Sequence, residues 1–158
     1  MRSARTTVSS MSKSRVVSRT RVIKAPAGTI FDALADASQH SLFDGSGSLK
    51  GTKGETPERL TLGATFGMNM KVGARYSITN TVVEFEEGRQ IGWRHFGGHV
   101  WRYVLEPLDG GETTRVTESF DWSTSKGPLM IELLRYPAKN ARSIEKTLDR
   151  LAELVETH

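Results

Sequence analysis

Glu118 is the residue whose surroundings most strongly suggest chemistry, because it occupies an apolar position in a predicted strand. Successive side chains on a strand point to opposite faces, so the alternation in residues 113–122 assigns each side chain to a face. Glu118 then shares its face with Phe120 and Trp122, whereas Arg115 points the other way. An isolated buried carboxylate costs several kcal/mol, so Glu118 must pair, take up a proton or meet water. The sequence therefore predicts a polar site within the core.

Two histidines and a tyrosine on neighbouring predicted strands could act together with Glu118. His95 lies in phase with Trp93, and on the following strand Tyr103 lies in phase with His99. We expect Glu118 or His95 to serve as a general base and Tyr103 or His99 as a hydrogen-bond donor. The catalytic candidates are therefore Glu118, His95 and Tyr103. The alternatives are a glutamate paired with a neighbouring arginine or histidine, a glutamate that reaches solvent from a strand end, and histidines with ordinary surface or core positions.

Apolar side chains on the same faces are candidates for the lining of a small-molecule pocket. In residues 64–72 the apolar phase contains two methionines, whose flexible side chains adapt to ligands of different shapes. Ordinary core packing is the alternative for the aromatic residues. The candidate ligand contacts are Phe66, Met68, Met70, Trp93, His99, Trp101, Phe120, Leu134 and Ala141.

The composition describes a single globular domain and excludes several kinds of site. The chain has 158 residues, of which 37% are hydrophobic and 25% charged, and it contains no cysteine. Without thiols it cannot form disulfides, thiolate zinc sites, iron–sulfur clusters or a cysteine nucleophile. Its four histidines lack metal-ligand spacing, and the phosphate-binding and dinucleotide-binding glycine motifs are missing. We expect no metal and no cofactor, and the lack of cysteine favours a reducing, cytoplasmic location.

The positive charge is concentrated at the start of the chain. The formal net charge is +4, and residues 1–24 hold seven basic side chains before the first acidic one, Asp32. We therefore predict a flexible basic segment at residues 1–13 and one domain at residues 14–158, and we do not expect nucleic-acid binding. An interaction module whose basic segment docks on an acidic partner or on anionic lipid is the alternative. No apolar run is long enough to span a bilayer, so integral membrane association is not expected.

Hydrophobic periodicity predicts an α+β fold. A strand at residues 15–25 precedes a short helix that begins near Pro26. Residues 36–48 are predicted to form a loop, with one more helical turn near residues 38–42 as an alternative for its start. A long amphipathic helix is predicted at residues 128–156, with Pro137 kinking or dividing it. Because short connections require antiparallel neighbours, the strands form an antiparallel sheet covered on one face. The five central strands are predicted at residues 64–72, 75–86, 89–96, 99–107 and 113–122.

Three segments resemble a known protein family. VIKAPAGTIFDALAD at residues 22–36 resembles the opening strand and helix of the START-like SRPBCC superfamily, close to its polyketide cyclase/dehydrase and lipid transport branch. The segments VEFEEGRQIGWR at residues 83–94, and WRYVLEP at residues 101–107 running on to TRVTE at residues 114–118, support the match. The resemblance covers about residues 14–156.

The resemblance implies a helix-grip fold, in which a curved antiparallel sheet of about seven strands wraps around a long C-terminal helix and encloses a hydrophobic cavity. Members of the superfamily bind lipids, sterols, plant hormones or aromatic polyketides, and some cyclise or dehydrate the bound chain. We therefore predict binding or transport of a small hydrophobic molecule such as a lipid or polyketide, by a monomer or homodimer. The alternative is an aromatic polyketide cyclase or dehydratase that uses acid–base residues in the same cavity.

Overall fold

The computed structural model describes residues 14–156, so the predicted basic segment at residues 1–13 lies outside the described residues. Seven strands and four α-helices occupy this part of the chain, with 3-10 turns at Ala37–Gln39 and Asp109–Gly111. The strands are β1 (Val16–Ile23), β2 (Leu49–Lys53), β3 (Thr65–Val72), β4 (Ala74–Glu86), β5 (Gln90–Arg94), β6 (Val100–Leu108) and β7 (Thr113–Asp121). The helices are α1 (Ala27–Leu34), α2 (His40–Phe43), α3 (Pro128–Leu133) and α4 (Tyr136–Glu156).

The strands form one antiparallel sheet in the order β1-β7-β6-β5-β4-β3-β2. Strands β2 to β7 each pair with their neighbour in sequence. The connections from β3 to β7 are short, as expected for antiparallel neighbours, whereas residues 54–64 link β2 to β3. Strand β1 instead pairs with β7, so α1 and α2 carry the chain from one edge of the sheet to the other. The sheet curls into a half-barrel, which confirms the predicted α+β helix-grip architecture.

Helix α4 lies against the concave face of the sheet. Its buried residues repeat every three or four positions, which gives one apolar stripe along a helix whose opposite side is charged. Strand β1 adds two ion pairs to this contact, Arg19 with Glu145 at 2.9 Å and Arg21 with Asp149. Both pairs are substantially exposed, so apolar burial dominates the contact. The buried residues of α4 are Ala141, Ile144, Thr147, Leu148, Leu151, Ala152 and Val155.

The C-terminal helical segment is divided into two helices, as expected from the presence of Pro137. The break lies slightly earlier than the proline, because α3 ends at Leu133 and Arg135 has a φ of 59°. Pro137 itself lies in the first turn of α4. Backbone N–H groups in the first turn have no partner within the helix, so the N–H that proline lacks is not needed there. The two helices can therefore pack in different directions, and only α4 contributes to the buried stripe.

The loop between α2 and β2 is held tightly against α4. The Gly45 N–H donates a hydrogen bond of 2.8 Å to Thr147 Oγ1, and a Cβ placed on Gly45 would lie 2.5 Å from the Ser143 carbonyl oxygen. Only glycine allows so close an approach. This contact fixes α2 near the middle of α4. No helix in the described part of the chain is long and apolar enough to cross a membrane.

Candidate functional site

Glu118 and Tyr103 form a buried pair on the concave face of the sheet. The register of β6 and β7 places the two residues opposite each other, and both are only 3% exposed. The Tyr103 hydroxyl donates a hydrogen bond of 2.8 Å to Glu118 Oε1. Glu118 Oε2 is the only buried side-chain nitrogen or oxygen within residues 14–156 that has no hydrogen-bond partner. The predicted polar site therefore exists, with one oxygen facing no protein donor or acceptor.

Burial changes the ionisation of this pair. Loss of hydration raises the pKa of Glu118 to about 8; the hydrogen bond from Tyr103 opposes the rise, and the negative charge of Asp44 adds to it. Burial, together with the charge of Glu118, raises the pKa of Tyr103 well above its ordinary value. Glu118 is therefore mainly a neutral carboxylic acid at neutral pH. In this form it can donate a hydrogen bond from a carboxyl oxygen.

His40 belongs to the same interior, although no sequence pattern singled it out. It is 3% exposed, and its ring is stacked on Trp93 with a centroid distance of 4.7 Å. Its Nε2 lies 2.8 Å from the Leu34 carbonyl oxygen, and burial lowers the pKa of His40 to about 4. The ring is therefore neutral and donates from Nε2. The phenyl ring of Phe66 packs edge-on against His40 at a centroid distance of 5.4 Å. The sequence feature that could have indicated a buried helix here is Phe43, an apolar residue in the same short helix.

Trp93 connects His40 to the Glu118 pair. Its ring centroid lies 5.6 Å from that of Tyr103 and 5.7 Å from that of Phe66. The result is a continuous aromatic wall that ends at a carboxylic acid. Such a surface suits a molecule that is mostly apolar and carries one polar group.

The two histidines predicted beside Glu118 form a separate cluster. The rings of His95 and His99 lie 4.4 Å apart at right angles, and His99 also contacts Phe120 at 5.1 Å. Burial lowers the pKa of both, and that of His99 falls to about 4 with a further contribution from the charge of His95. Within the described residues, no hydrogen bond joins either histidine to Glu118 or Tyr103. The structure thus brings together two of the three catalytic candidates and sets His95 apart.

The predicted ligand contacts divide into interior and surface residues. Ala141 lies on the buried stripe of α4, whereas Leu134 follows the end of α3 and is 48% exposed. Leu134 therefore lies on the protein surface, because the helix breaks before it can reach the stripe. The contacts within the apolar core are Phe66, Met68, Trp93 and Phe120, with Met70 and Trp101 partly buried against it and His99 beside Phe120.

Buried apolar side chains from the sheet, α1, α2 and α4 pack together in one core cluster. Two grooves of about 600 and 300 Å³ are open on the surface, and neither is lined by Glu118, Tyr103 or the histidines. The larger groove is lined by Lys50, Asn69, Met70, Lys71, Arg75, Tyr76 and Ser77. Among residues 14–156, no group of three or more histidine, aspartate or glutamate side chains is arranged to hold a metal ion.

The sequence matches one protein family along nearly its whole length. The family model described as polyketide cyclase / dehydrase and lipid transport covers residues 14–156. The uncharacterized protein Rv0088 of Mycobacterium tuberculosis is 35% identical over 142 residues, which are 87% of this chain and 62% of the relative. The chain therefore spans about three fifths of the length of that relative.

Solved structures show the same fold at low sequence identity. Protein NE0264 from Nitrosomonas europaea aligns with a TM-score of 0.68 at 14% identity and covers 90% of this chain and 94% of its own. The Polyketide_cyc-like protein Cgl2372 from Corynebacterium glutamicum aligns with a TM-score of 0.63 at 22% identity and covers 93% and 94%. The AHSA1-like protein from Aeromonas hydrophila aligns with a TM-score of 0.60 at 20% identity and covers 90% and 92%.

Proposed function

Because the chain belongs to the polyketide cyclase / dehydrase and lipid transport family, we propose that it binds a small hydrophobic molecule between the concave face of its sheet and α4. A lipid or a polyketide is the class of ligand that fits best. The proposal rests on Glu118 Oε2, a buried oxygen without a partner at the end of an aromatic wall.

The chemistry of Glu118 specifies one feature of the ligand. Leaving a buried polar atom without a hydrogen bond costs about 1–3 kcal/mol. A neutral carboxyl group at this position recovers that free energy when it donates to an oxygen of the ligand. The ligand is therefore apolar over most of its surface and carries a carbonyl or hydroxyl oxygen that reaches Glu118.

The aromatic wall supplies the remaining affinity. Apolar surface removed from water contributes about 25 cal/mol per Å², so even a small ligand gains several kcal/mol from contact with Trp93 and Phe66. Because the interior is closely packed, the ligand enters as side chains change their rotamers. Met68 and Met70 are suited to this, since an unbranched thioether adopts many conformations.

A matched pair of ligands tests the role of Glu118. The fused-ring ketone α-tetralone and its hydrocarbon tetralin have nearly the same shape, and the ketone alone has an oxygen. Trp93 lies in the proposed site, so tryptophan fluorescence reports the titration. We expect the ketone to bind more tightly than the hydrocarbon by about tenfold, as one recovered hydrogen bond implies.

Two substitutions separate the hydrogen bond from the ionisable proton. Glu118→Leu should abolish the preference for the ketone, whereas Glu118→Gln keeps a donor and should retain it. Glu112→Gln changes an exposed carboxylate and serves as the control. Equal affinities for ketone and hydrocarbon in the unmodified protein would contradict the proposal.

A second candidate function is a cyclase or dehydratase reaction in the same site. The observation that favours it is the pairing of two proton-bearing groups, Glu118 and Tyr103, in an apolar interior. Polarising a carbonyl and stabilising the resulting enolate are steps that such groups accelerate. Turnover of a linear poly-β-ketone thioester that disappears in Glu118→Gln, while ketone binding persists, would assign the chain to this class. Binding without turnover in the unmodified protein would assign it to the first.

The cellular setting also stays a prediction. The absence of cysteine supports a cytoplasmic location, and either a monomer or a homodimer is compatible with a site built from one chain. The activity of the longer relatives concerns whole proteins of which this chain matches a part.

A further inference from the structure

Helix α3 turns most of its large apolar side chains toward solvent. Leu129 is 71% exposed, Leu133 is 75% exposed, and Met130 between them is 58% exposed. These positions fall on one side of the helix, since residues three and four apart are neighbours on a helix surface. A surface helix of a globular protein usually places such a side against the core.

The side of α3 that faces the protein carries Glu132 and Ile131, which is partly buried against the core. Glu132 accepts a hydrogen bond of 2.9 Å from Trp122 Nε1 and another of 2.9 Å from Arg15 Nε. These two contacts fix the rotation of the helix about its axis. These contacts therefore hold Leu129 and Leu133 toward solvent.

The apolar surface extends beyond α3 on both sides. Lys126 N–H donates to the Gly97 carbonyl oxygen at 3.0 Å, which places the β5–β6 loop beside the start of α3. Phe96 in that loop is 76% exposed. The exposed apolar patch consists of Phe96, Leu129, Met130, Leu133, Leu134 and Tyr136.

Basic side chains predominate in the segment that carries most of this patch. In residues 123–144 the basic side chains are Lys126, Arg135, Lys139 and Arg142, and all four are exposed. The one acidic residue in this range is Glu132, which is already bound to Arg15 and Trp122. Lys139 also holds its Nζ 5.4 Å from the centre of the Tyr136 ring. The patch therefore combines exposed apolar and aromatic side chains with an excess of basic side chains nearby in the chain.

We propose that the exposed apolar patch docks the protein on an anionic lipid bilayer, with α3 lying in the headgroup region. Leucine, methionine and phenylalanine side chains enter the boundary between headgroups and acyl chains, and Lys and Arg contact the lipid phosphates. A second copy of the chain suits the patch less well. A two-fold interface centred on the patch would bring the same basic side chains of both copies close together, where they would repel each other.

Vesicle sedimentation tests the proposal with the full chain. We expect the protein to bind vesicles of phosphatidylcholine containing about 30% phosphatidylglycerol at least about tenfold more tightly than vesicles of phosphatidylcholine alone. High salt should weaken the binding, because salt screens the attraction to the lipid phosphates. No sedimentation with the anionic vesicles at low salt would overturn the proposal.

Matched variants locate the docking surface. The double variant Leu129→Ser with Leu133→Ser should lose at least about tenfold in vesicle affinity, whereas Leu62→Ser with Val72→Ser, which changes exposed apolar residues elsewhere, should not. Likewise Lys126→Ala with Lys139→Ala should weaken binding more than Lys50→Ala with Lys71→Ala. All four variants keep residues 1–13, so undiminished binding by the α3 variant would overturn the proposal. A dimer of the unmodified protein that dissociates in the α3 variant, without vesicle binding, would overturn it too.

Discussion

Glu118 affects both the proposed ligand site and the stability of the fold, because the protein must keep a proton on this residue to bury it. The pKa of Glu118 is near 4.5 when the residue is solvated and about 8 in the folded protein. Over the interval between these values the folded state binds this proton more tightly than the unfolded state does. The contribution of Glu118 to the free energy of unfolding therefore falls as pH rises from 4.5 to about 8.

Glu118→Gln should remove this pH dependence. We expect the variant to gain stability relative to the unmodified protein as pH rises, reaching roughly 3 kcal/mol at neutral pH. Urea unfolding at several values between about pH 5 and about pH 8 measures the difference directly. The pKa values of His40 and His99 are lowered from 6.5 to about 4, so these two residues also make the stability depend on pH below 6.5. Their effect is the same in both proteins and cancels in the comparison. A constant difference across this range would contradict the assigned protonation of Glu118.

Tyr103→Phe removes the hydrogen bond that Glu118 Oε1 accepts. We expect the free energy of unfolding to fall by about 1–3 kcal/mol, because both oxygens of a buried carboxyl group then lack a protein partner. The pKa of Glu118 should also rise further, since the Tyr103 hydrogen bond lowers it. Tyr76→Phe changes a 46% exposed hydroxyl and is the control for stability. Equal losses in the two variants would mean that the buried hydrogen bond contributes nothing.

Single residues also show the limits of prediction from sequence. Glu118 and Tyr103 were selected correctly as neighbours, because alternation along a strand assigns faces without any tertiary information. His40 was missed, since it lies in a short helix between strands, where no period assigns a face. Whether Glu118 pairs, takes up a proton or meets water was left open by the sequence. It depends on desolvation, which only the packed structure defines.

At the scale of elements, the central strands were predicted to within a few residues and their antiparallel order was confirmed. Two elements were less well predicted for physical reasons. Strand β2 is a short edge strand with an irregular register at Leu49 and Gly51, so it has little alternation to detect. The break between α3 and α4 lies at Arg135, which adopts a positive φ that sequence does not reveal for a non-glycine residue.

The contact of the α2–β2 loop with α4 should be sensitive to a single added methyl group. Gly45→Ala places a Cβ 2.5 Å from the Ser143 carbonyl oxygen, so we expect a destabilisation of about 1–3 kcal/mol by thermal or urea unfolding. Gly28→Ala is the matched control, because no atom lies within 4 Å of its added Cβ and its helix gains propensity. The loop carries Asp44 next to α2 and His40, so Gly45→Ala should also weaken ligand binding. A Gly45→Ala protein as stable as Gly28→Ala would contradict the close packing described for this loop.

At the scale of the whole molecule, the family and the fold leave the identity of the ligand open. What the site can bind depends on the residues on the concave face of the sheet. In this chain those residues are an aromatic wall, a neutral carboxylic acid and a neutral histidine. Their combination favours a molecule with an apolar body and one acceptor oxygen.

The exposed apolar patch on α3 belongs to this scale as well. It is independent of the interior site, so vesicle docking and ligand binding can each succeed or fail alone. Substitution of Leu129 and Leu133 should leave ketone affinity unchanged while vesicle binding is lost. Parallel loss of both properties would indicate a disturbed fold, which the unfolding temperature of the variant would reveal.

Native mass spectrometry of the freshly purified protein tests the central claim most directly. We predict a discrete added mass that disappears when the protein is denatured, or that appears after incubation with α-tetralone and is reduced in Glu118→Leu but not in Glu118→Gln. Fragmentation of a co-purifying species should yield a mostly apolar molecule that contains a carbonyl or hydroxyl oxygen. A bare protein that also fails to retain the ketone, with Glu118→Leu behaving identically, would contradict a ligand site at Glu118.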